Sequence, residues 1–167
     1  MHNELTKKDI QKMEEEIEYR KVVVRKEAIE AVKEARAQGD LSENFEYYAA
    51  KRDKNKNESR IRYLERMIKT AVVVSDDSKE DEIGLNNTIR IYIEEDDEEQ
   101  EIKLVTTVRG NSIKGLISIE SPMGKALLGH KVGDRVTIRV NDSYSYDVIV
   151  RSIENTIDDG TDQLREY

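Results

Sequence analysis

From Thr6 to about Gln38 the chain holds no glycine or proline, and Ile10, Met13, Ile17, Val24, Ala28, Ala31 and Ala35 recur at spacings of three, four or seven. Such spacing lines one narrow apolar stripe along a long helix. A second periodic run begins near Phe45 and closes with Ile61, Leu64, Ile68 and Ala71, steps of three, four and three that match a heptad seam. Between the runs lies Gly39-Asp40-Leu41-Ser42-Glu43-Asn44. Gly39 suits the left-handed residue that follows a helix, and Asp40 can cap the next one with Glu43 as its capping-box partner. A stripe this narrow must be buried against a matching stripe, and the short connection makes the pair antiparallel: the pattern predicts a two-helix coiled coil. Roughly 32 residues give a first helix of about 48 Å, and ~26 residues a second of about 39 Å. Ala28, Ala31, Ala35, Ala49 and Ala50 thin the seam toward the turn, so the distal end should be slender.

The periodicity changes after residue 71. Val72-Val73-Val74 runs into the acidic stretch Ser75-Asp76-Asp77-Ser78-Lys79-Glu80-Asp81-Glu82, read as a linker. Beyond it Ile89, Ile91 and Ile93 alternate with polar residues, an acidic turn spans Glu95 to Glu99, and Ile102, Leu104 and Thr106 alternate again, which is a β-hairpin pattern. Ile117 and Ile119 suggest another strand. Ser121 and Pro122 have the chemistry of an N-cap and first helical position, and Gly129 that of a helix stop. Val136, Ile138 and Val140, then Tyr146, Val148 and Val150, predict a second hairpin across Asn141-Asp142-Ser143. The expected fold class is α+β: a coiled-coil hairpin over 1–74 with its tip at 39–44, an antiparallel sheet domain with one short helix over 75–157, and a weakly ordered tail over 158–167.

Composition narrows the chemistry. Cysteine is absent and there are two isolated histidines, His2 and His130, which excludes disulfides, thiolate catalysis and Cys- or His-rich metal sites. No stretch reaches the ~18 to 20 apolar residues of a membrane span, and the start Met1-His2-Asn3-Glu4 lacks a signal peptide's apolar stretch, so a cytoplasmic protein without membrane contact, monomeric when free, is expected. The net charge of −8 opposes general DNA binding. It is unevenly shared: residues 1–71 hold 17 Lys/Arg against 15 Asp/Glu, net +2, and the remainder 11 against 21, net −10.

Asp40 and Glu43 are the sharpest chemical feature. They stand on an exposed turn at the far end of a rod, where no walls could enclose a pocket. Two carboxylates are too few to fill the octahedral shell of Mg²⁺, yet one or two are a common protein share when another molecule supplies the rest. At ~6 Å their mutual repulsion is about 3 kcal/mol for an effective dielectric of about 20, which a shared cation would relieve. Spacing alone favours the plainer role, Asp40 as N-cap and Glu43 as its partner.

The string from Gly39 to Lys51, Gly-Asp-Leu-Ser-Glu-Asn-Phe-Glu-Tyr-Tyr-Ala-Ala-Lys, resembles the tip signature Gly-Asp-Leu-x-Glu-Asn-x-Glu-Tyr-x-Ala-Ala-Lys of the Gre-type bacterial transcript-cleavage factors. A second block, Ser121 to Asp134, resembles that family's Ser-Pro-(apolar)-Gly-x-Ala-Leu-(apolar)-Gly-x-x-x-Gly-Asp segment. Leu5-Thr6-Lys7-Lys8 and Lys33-Glu34-Ala35-Arg36 are also similar, and the resemblance covers roughly residues 5 to 155. Departures are Phe45 where Ala is frequent, Tyr48 where His is frequent, and Asp9 where Gly is frequent, the last on what reads as an exposed helix.

The resemblance implies an FKBP-like second domain and a factor that binds bacterial RNA polymerase and enters its secondary channel when the nascent RNA 3′ end has been extruded by backtracking. It implies no cofactor of the factor's own: Asp40 and Glu43 would hold a Mg²⁺ shared with the polymerase and orient the attacking water. Leu41, Ser42, Asn44 and Tyr47 would support the tip, Lys51 and Arg52 would touch RNA, and Ser121, Pro122, Met123 and Gly124 would dock on the polymerase. Such a factor is an accessory to the enzyme. Two other readings stay open: a channel-binding inhibitor that does not stimulate cleavage, and a coiled-coil adaptor outside transcription. Lacking aromatic material for a proline pocket, the second domain is not expected to be a prolyl isomerase.

Overall fold

The computed structural model describes residues 4–39, 44–77, 79–156 and 163–165; Asp40, Leu41, Ser42 and Glu43 lie outside the described residues. The chain divides into two compact units, one of Ile10–Ala71 and one that joins Met1–Asp9 to Val72–Tyr167.

The helical unit contains most of α1 (Lys7–Tyr19), a π-helical turn (Arg20–Val24), α2 (Arg25–Ala37) and the antiparallel partner α3 (Phe45–Lys69). Along α3 the seam is a continuous heptad: Tyr47, Ala50, Lys54, Asn57, Ile61, Leu64 and Ile68 are all buried or half-buried, at alternating steps of three and four, and Ala71 just beyond the helix end continues it. The first helix does not keep this period. The N–H of Arg25 bonds back to the carbonyl of Arg20, five residues earlier, across the run Val22-Val23-Val24, whose β-branched side chains crowd a regular helical turn. The extra residue re-phases the seam, so Ala31, expected inside, is exposed and Val32 is half-buried in its stead.

The same level of the hairpin is held by polar groups where an apolar stripe was expected. Asn57, 1% exposed, donates from Nδ2 to the Arg20 carbonyl at 3.2 Å and accepts from Arg20 Nη1 at 3.1 Å. Glu16 receives Arg20 Nε and Arg60 Nε at 2.8 Å each, and Arg25 grips Glu58 through two nitrogens at 3.0 and 2.8 Å. Burial opposes the charge on Glu16, but the hydrogen bonds and charges of Arg60 and Arg20 outweigh it and bring the carboxyl below its ordinary pKa. Buried polar pairing of this kind specifies register, because sliding one helix along the other would strand each group without its partner.

The second unit is built on a five-stranded sheet of order β5-β4-β3-β7-β6, with β3 Thr88–Ile93, β4 Glu98–Val105, β5 Leu116–Ser118, β6 Arg135–Arg139 and β7 Ser145–Glu154. Both predicted hairpins are present, β3 with β4 and β6 with β7. The sheet is mixed, however: β5 runs parallel to β4, since the chain passes through two short 3₁₀ turns, Thr107–Arg109 and Ser112–Lys114, before re-entering the sheet in the same direction. Ile89, Ile91, Ile102, Leu104, Ile138, Val148 and Val150 face one core with Leu127 of α4 (Pro122–Leu127). Within the tail, the N–H of Arg165 donates to the carbonyl of Val108, which fixes that point to the unit.

Two features move the expected domain boundary. Glu4–Leu5 (β1) pairs in parallel with Val72–Val73 (β2), so both ends of the helical segment belong to the sheet unit, and Val74 packs on its core. Asp9, read from sequence as exposed, is 1% exposed. It closes a capping box with Thr6, the Thr6 N–H donating to Oδ2 at 2.9 Å and the Asp9 N–H to Thr6 Oγ1 at 3.1 Å. The same carboxylate accepts from Thr106 Oγ1 at 2.8 Å and pairs with Arg109, itself 3% exposed.

Candidate functional site

The hairpin turn is built by its flanks. Helix α2 ends at Ala37, the N–H of Gln38 bonds to the carbonyl of Ala35, and Gly39 takes φ +126°, a value that favours glycine. On the return side Asn44 is the N-cap of α3: its Oδ1 accepts the Tyr47 N–H at 3.0 Å. Its Nδ2 donates across the turn to the carbonyl of Ala35 at 2.6 Å. One side chain thus caps the second helix and ties it to the end of the first. The cap expected of Asp40 is therefore supplied by Asn44, a role for which asparagine is as well suited as aspartate.

Tyr47, one of the proposed tip supports, is half-buried on the seam. Arg36 lies 5.7 Å from its ring centroid. A hydrogen bond from Arg36, against a weaker opposing effect of burial and with Lys51, Arg36 and Lys54 adding positive potential, brings its phenol below the ordinary tyrosine pKa. Arg36, Lys51 and Lys54 thus set a positive potential at the Tyr47 phenol. Arg36 was not among the site residues taken from the sequence; its spacing to Tyr47 across a turn gives no local signal. Lys51 and Arg52 are exposed as expected. Small residues narrow this end, where Ala31, Ala35, Ala49 and Ala50 line an open cleft edged by Glu34, Glu46 and Asp53.

Among the described residues no three His, Asp or Glu side chains converge as metal ligands. Asp40 and Glu43, outside those residues, carry hard carboxylate oxygens suited to a hard divalent cation, and two such groups leave most of an octahedral shell for other donors.

The second candidate surface surrounds α4. Ser121 Oγ accepts the Gly124 N–H at 3.0 Å and Pro122 occupies the first helical turn, as expected. Pro122 is exposed, whereas Met123 is half-buried against the core. Gly124 is buried, and a Cβ there would fall 2.0 Å from the carbonyl oxygen of Ser118. This glycine lets α4 approach the end of β5, a packing role that its family spacing does not reveal. Among the described residues no helix is long and apolar enough to cross a membrane.

The family described as "Transcription elongation factor, N-terminal" matches residues 3–73, and "Transcription elongation factor, GreA/GreB, C-term" matches residues 77–155. A Thermoanaerobacter pseudethanolicus protein named transcription elongation factor GreA is 46% identical over 137 residues, covering 81% of this chain and 87% of the relative. The Bacillus subtilis protein of the same name is 40% identical over 135 residues, covering 81% and 86%. Among solved structures, the GreA factor homolog 1 (Gfh1) protein of Thermus thermophilus superposes with a TM-score of 0.42 at 28% identity, over 92% of this chain and 99% of that one.

Proposed function

This chain belongs to the GreA/GreB family of transcription elongation factors, and we propose that it inserts its helical hairpin into the secondary channel of bacterial RNA polymerase and stimulates cleavage of backtracked RNA. The observation that carries the tip assignment is the pair of hydrogen bonds made by the Asn44 side chain. Helix capping and closure of the turn are both supplied by that residue, so the ordinary structural reason for Asp40 and Glu43 is already met by another side chain.

In this reading Asp40 and Glu43 contribute part of a Mg²⁺ site completed by polymerase and RNA. The bound ion would activate a water and neutralise charge at the cleaved phosphate. The residues of the chain itself hold the carboxylate loop between two fixed helix ends, orient the attacking water through a carboxylate oxygen, and surround the approach with Arg36, Lys51 and Lys54. Leu41, Ser42, Asn44 and Tyr47 support the loop, Lys51 and Arg52 meet RNA phosphates, and the exposed Pro122 with neighbouring Ser121 offers the docking edge. The protein is an accessory factor that acts on the polymerase's own reaction.

The test is RNA cleavage in a purified, stalled and backtracked elongation complex with Mg²⁺, with no factor, the native protein, or its Asp40→Asn/Glu43→Gln variant. Acceleration by the native protein alone, with equal binding of both forms, is expected. Binding without acceleration by the native protein would make it a channel inhibitor, and absence of binding would remove the assignment altogether.

A further inference from the structure

Phe45, Tyr48, Arg52 and Lys56 follow one another on α3 at i, i+3, i+7 and i+11, so they lie on one helix face. All four are exposed, on the side opposite the seam formed by Tyr47, Ala50, Lys54 and Asn57. Phe45, the chain's one phenylalanine, is 85% exposed at the first helical position, directly after the Asn44 cap. The Tyr48 ring sits 5.6 Å from that of Tyr47, which Arg36 holds in turn. Its orientation is therefore braced while nearly half of it remains open. Neither Arg52 nor Lys56 has an ion-pair partner among the described residues.

Two open aromatic rings followed by two open cations on one stripe is the arrangement that single-stranded nucleic acid requires. Each base presents a π face that stacks on an aromatic ring whatever its identity, and the phosphates between bases need positive charge. The rise of the helix spaces the two rings about 4.5 Å along its axis and Tyr48 from Arg52 about 6 Å, within the compass of one or two nucleotides. The positive balance of residues 1–71 against the negative remainder directs a polyanion to this unit.

We propose that Phe45 and Tyr48 form a stacking surface for an unpaired nucleobase of single-stranded RNA, with Arg52 and Lys56 holding its phosphates. This rests on the proposed function and adds to it: the rings are positioning residues that steady the extruded strand beside the tip loop, and they take no part in the bond cleavage. No side chain of the stripe takes part in the Asn44 hydrogen bonds that close the turn, so the stripe can be changed without removing the cap.

The experiment uses backtracked complexes of one sequence whose extruded 3′ nucleotides carry either ordinary bases or abasic sugars, with subsaturating factor. Compared are the native protein, Phe45→Ala/Tyr48→Ala, Phe45→Leu/Tyr48→Leu and Phe45→Trp. Helix content and binding to polymerase are measured in parallel. On ordinary RNA the Ala pair and the Leu pair should each slow stimulated cleavage by roughly 5- to 150-fold, the range for loss of one stacked base, while Phe45→Trp retains it. On abasic RNA the native protein and the Ala pair should cleave at the same reduced rate. Equal slowing by the Ala pair on both RNAs, or native behaviour of the Leu pair, would overturn stacking and leave contact with the channel wall as the role of these rings. If the native protein accelerates cleavage of neither RNA, the proposed function fails and the stacking surface with it.

Discussion

Replacing Asp9 by glycine, the residue frequent at this position in Gre-type sequences, should destabilise the sheet unit far more than an exposed substitution would. The carboxylate has three jobs in one place: it closes the capping box with Thr6, accepts from Thr106, and faces Arg109 at 3% exposure. Loss of the cap costs about 1 kcal/mol. Removing one member of a buried ion pair costs roughly 3–5 kcal/mol, because the guanidinium keeps its desolvation penalty while losing the Asp9 carboxylate. The sum, about 4–6 kcal/mol, is a large share of the 5–15 kcal/mol that domains of this size possess, and corresponds to a fall in melting temperature on the order of 15 °C or more. Urea unfolding of native protein, Asp9→Gly, Arg109→Met and the double variant measures it. The double variant should be more stable than Asp9→Gly alone, since it also removes the buried guanidinium, with a coupling energy of about 2 kcal/mol. An Asp9→Gly midpoint within about 1 kcal/mol of native, or additivity within about 0.5 kcal/mol, would refute the reasoning.

Asn44→Ala removes both the α3 cap and the tie to Ala35, so the hairpin should lose about 1–2 kcal/mol, and amide exchange at Tyr47 and Tyr48 should quicken more than at Leu64. Glu16 titrates below its ordinary value of 4.5 in the folded state, so the stability it contributes is complete above that value and is lost as pH falls through the lower folded pKa. Urea midpoints from pH 7 to pH 3 should therefore drop more steeply for native protein than for Glu16→Gln; parallel curves would contradict the assignment. Gly124→Ala places a methyl carbon against the Ser118 carbonyl and should cost about 1–3 kcal/mol or more in thermal unfolding, whereas Lys125→Ala beside it should be near neutral.

What the sequence by itself determined is local. The two helical runs, the glycine at their turn, the Ser121-Pro122 helix start and the alternating strands of both hairpins are written in spacings of a few residues, and backbone geometry turns each spacing directly into a face. The tip signature and the Ser121–Asp134 block were equally legible, since each is a contiguous string. Tertiary structure decided whatever depends on a distant partner. Periodicity says that Asn57 lies on a seam but not that Arg20 meets it there, so neither the polar lock nor the re-phased stripe beyond the π turn could be read, and Ala31 was placed inside. Asp9 looks like any exposed helical acid until Thr106 and Arg109 are brought beside it. The pairing of Glu4–Leu5 with Val72–Val73 assigns both ends of the hairpin segment to the sheet unit, and no two-residue stretch could announce it. Asn44 caps α3, and only the folded hairpin shows that its amide also bonds the carbonyl of Ala35 on the other helix. A residue's own chemistry fixes what it can do, and the groups that folding brings within 3 Å select which of those things it does.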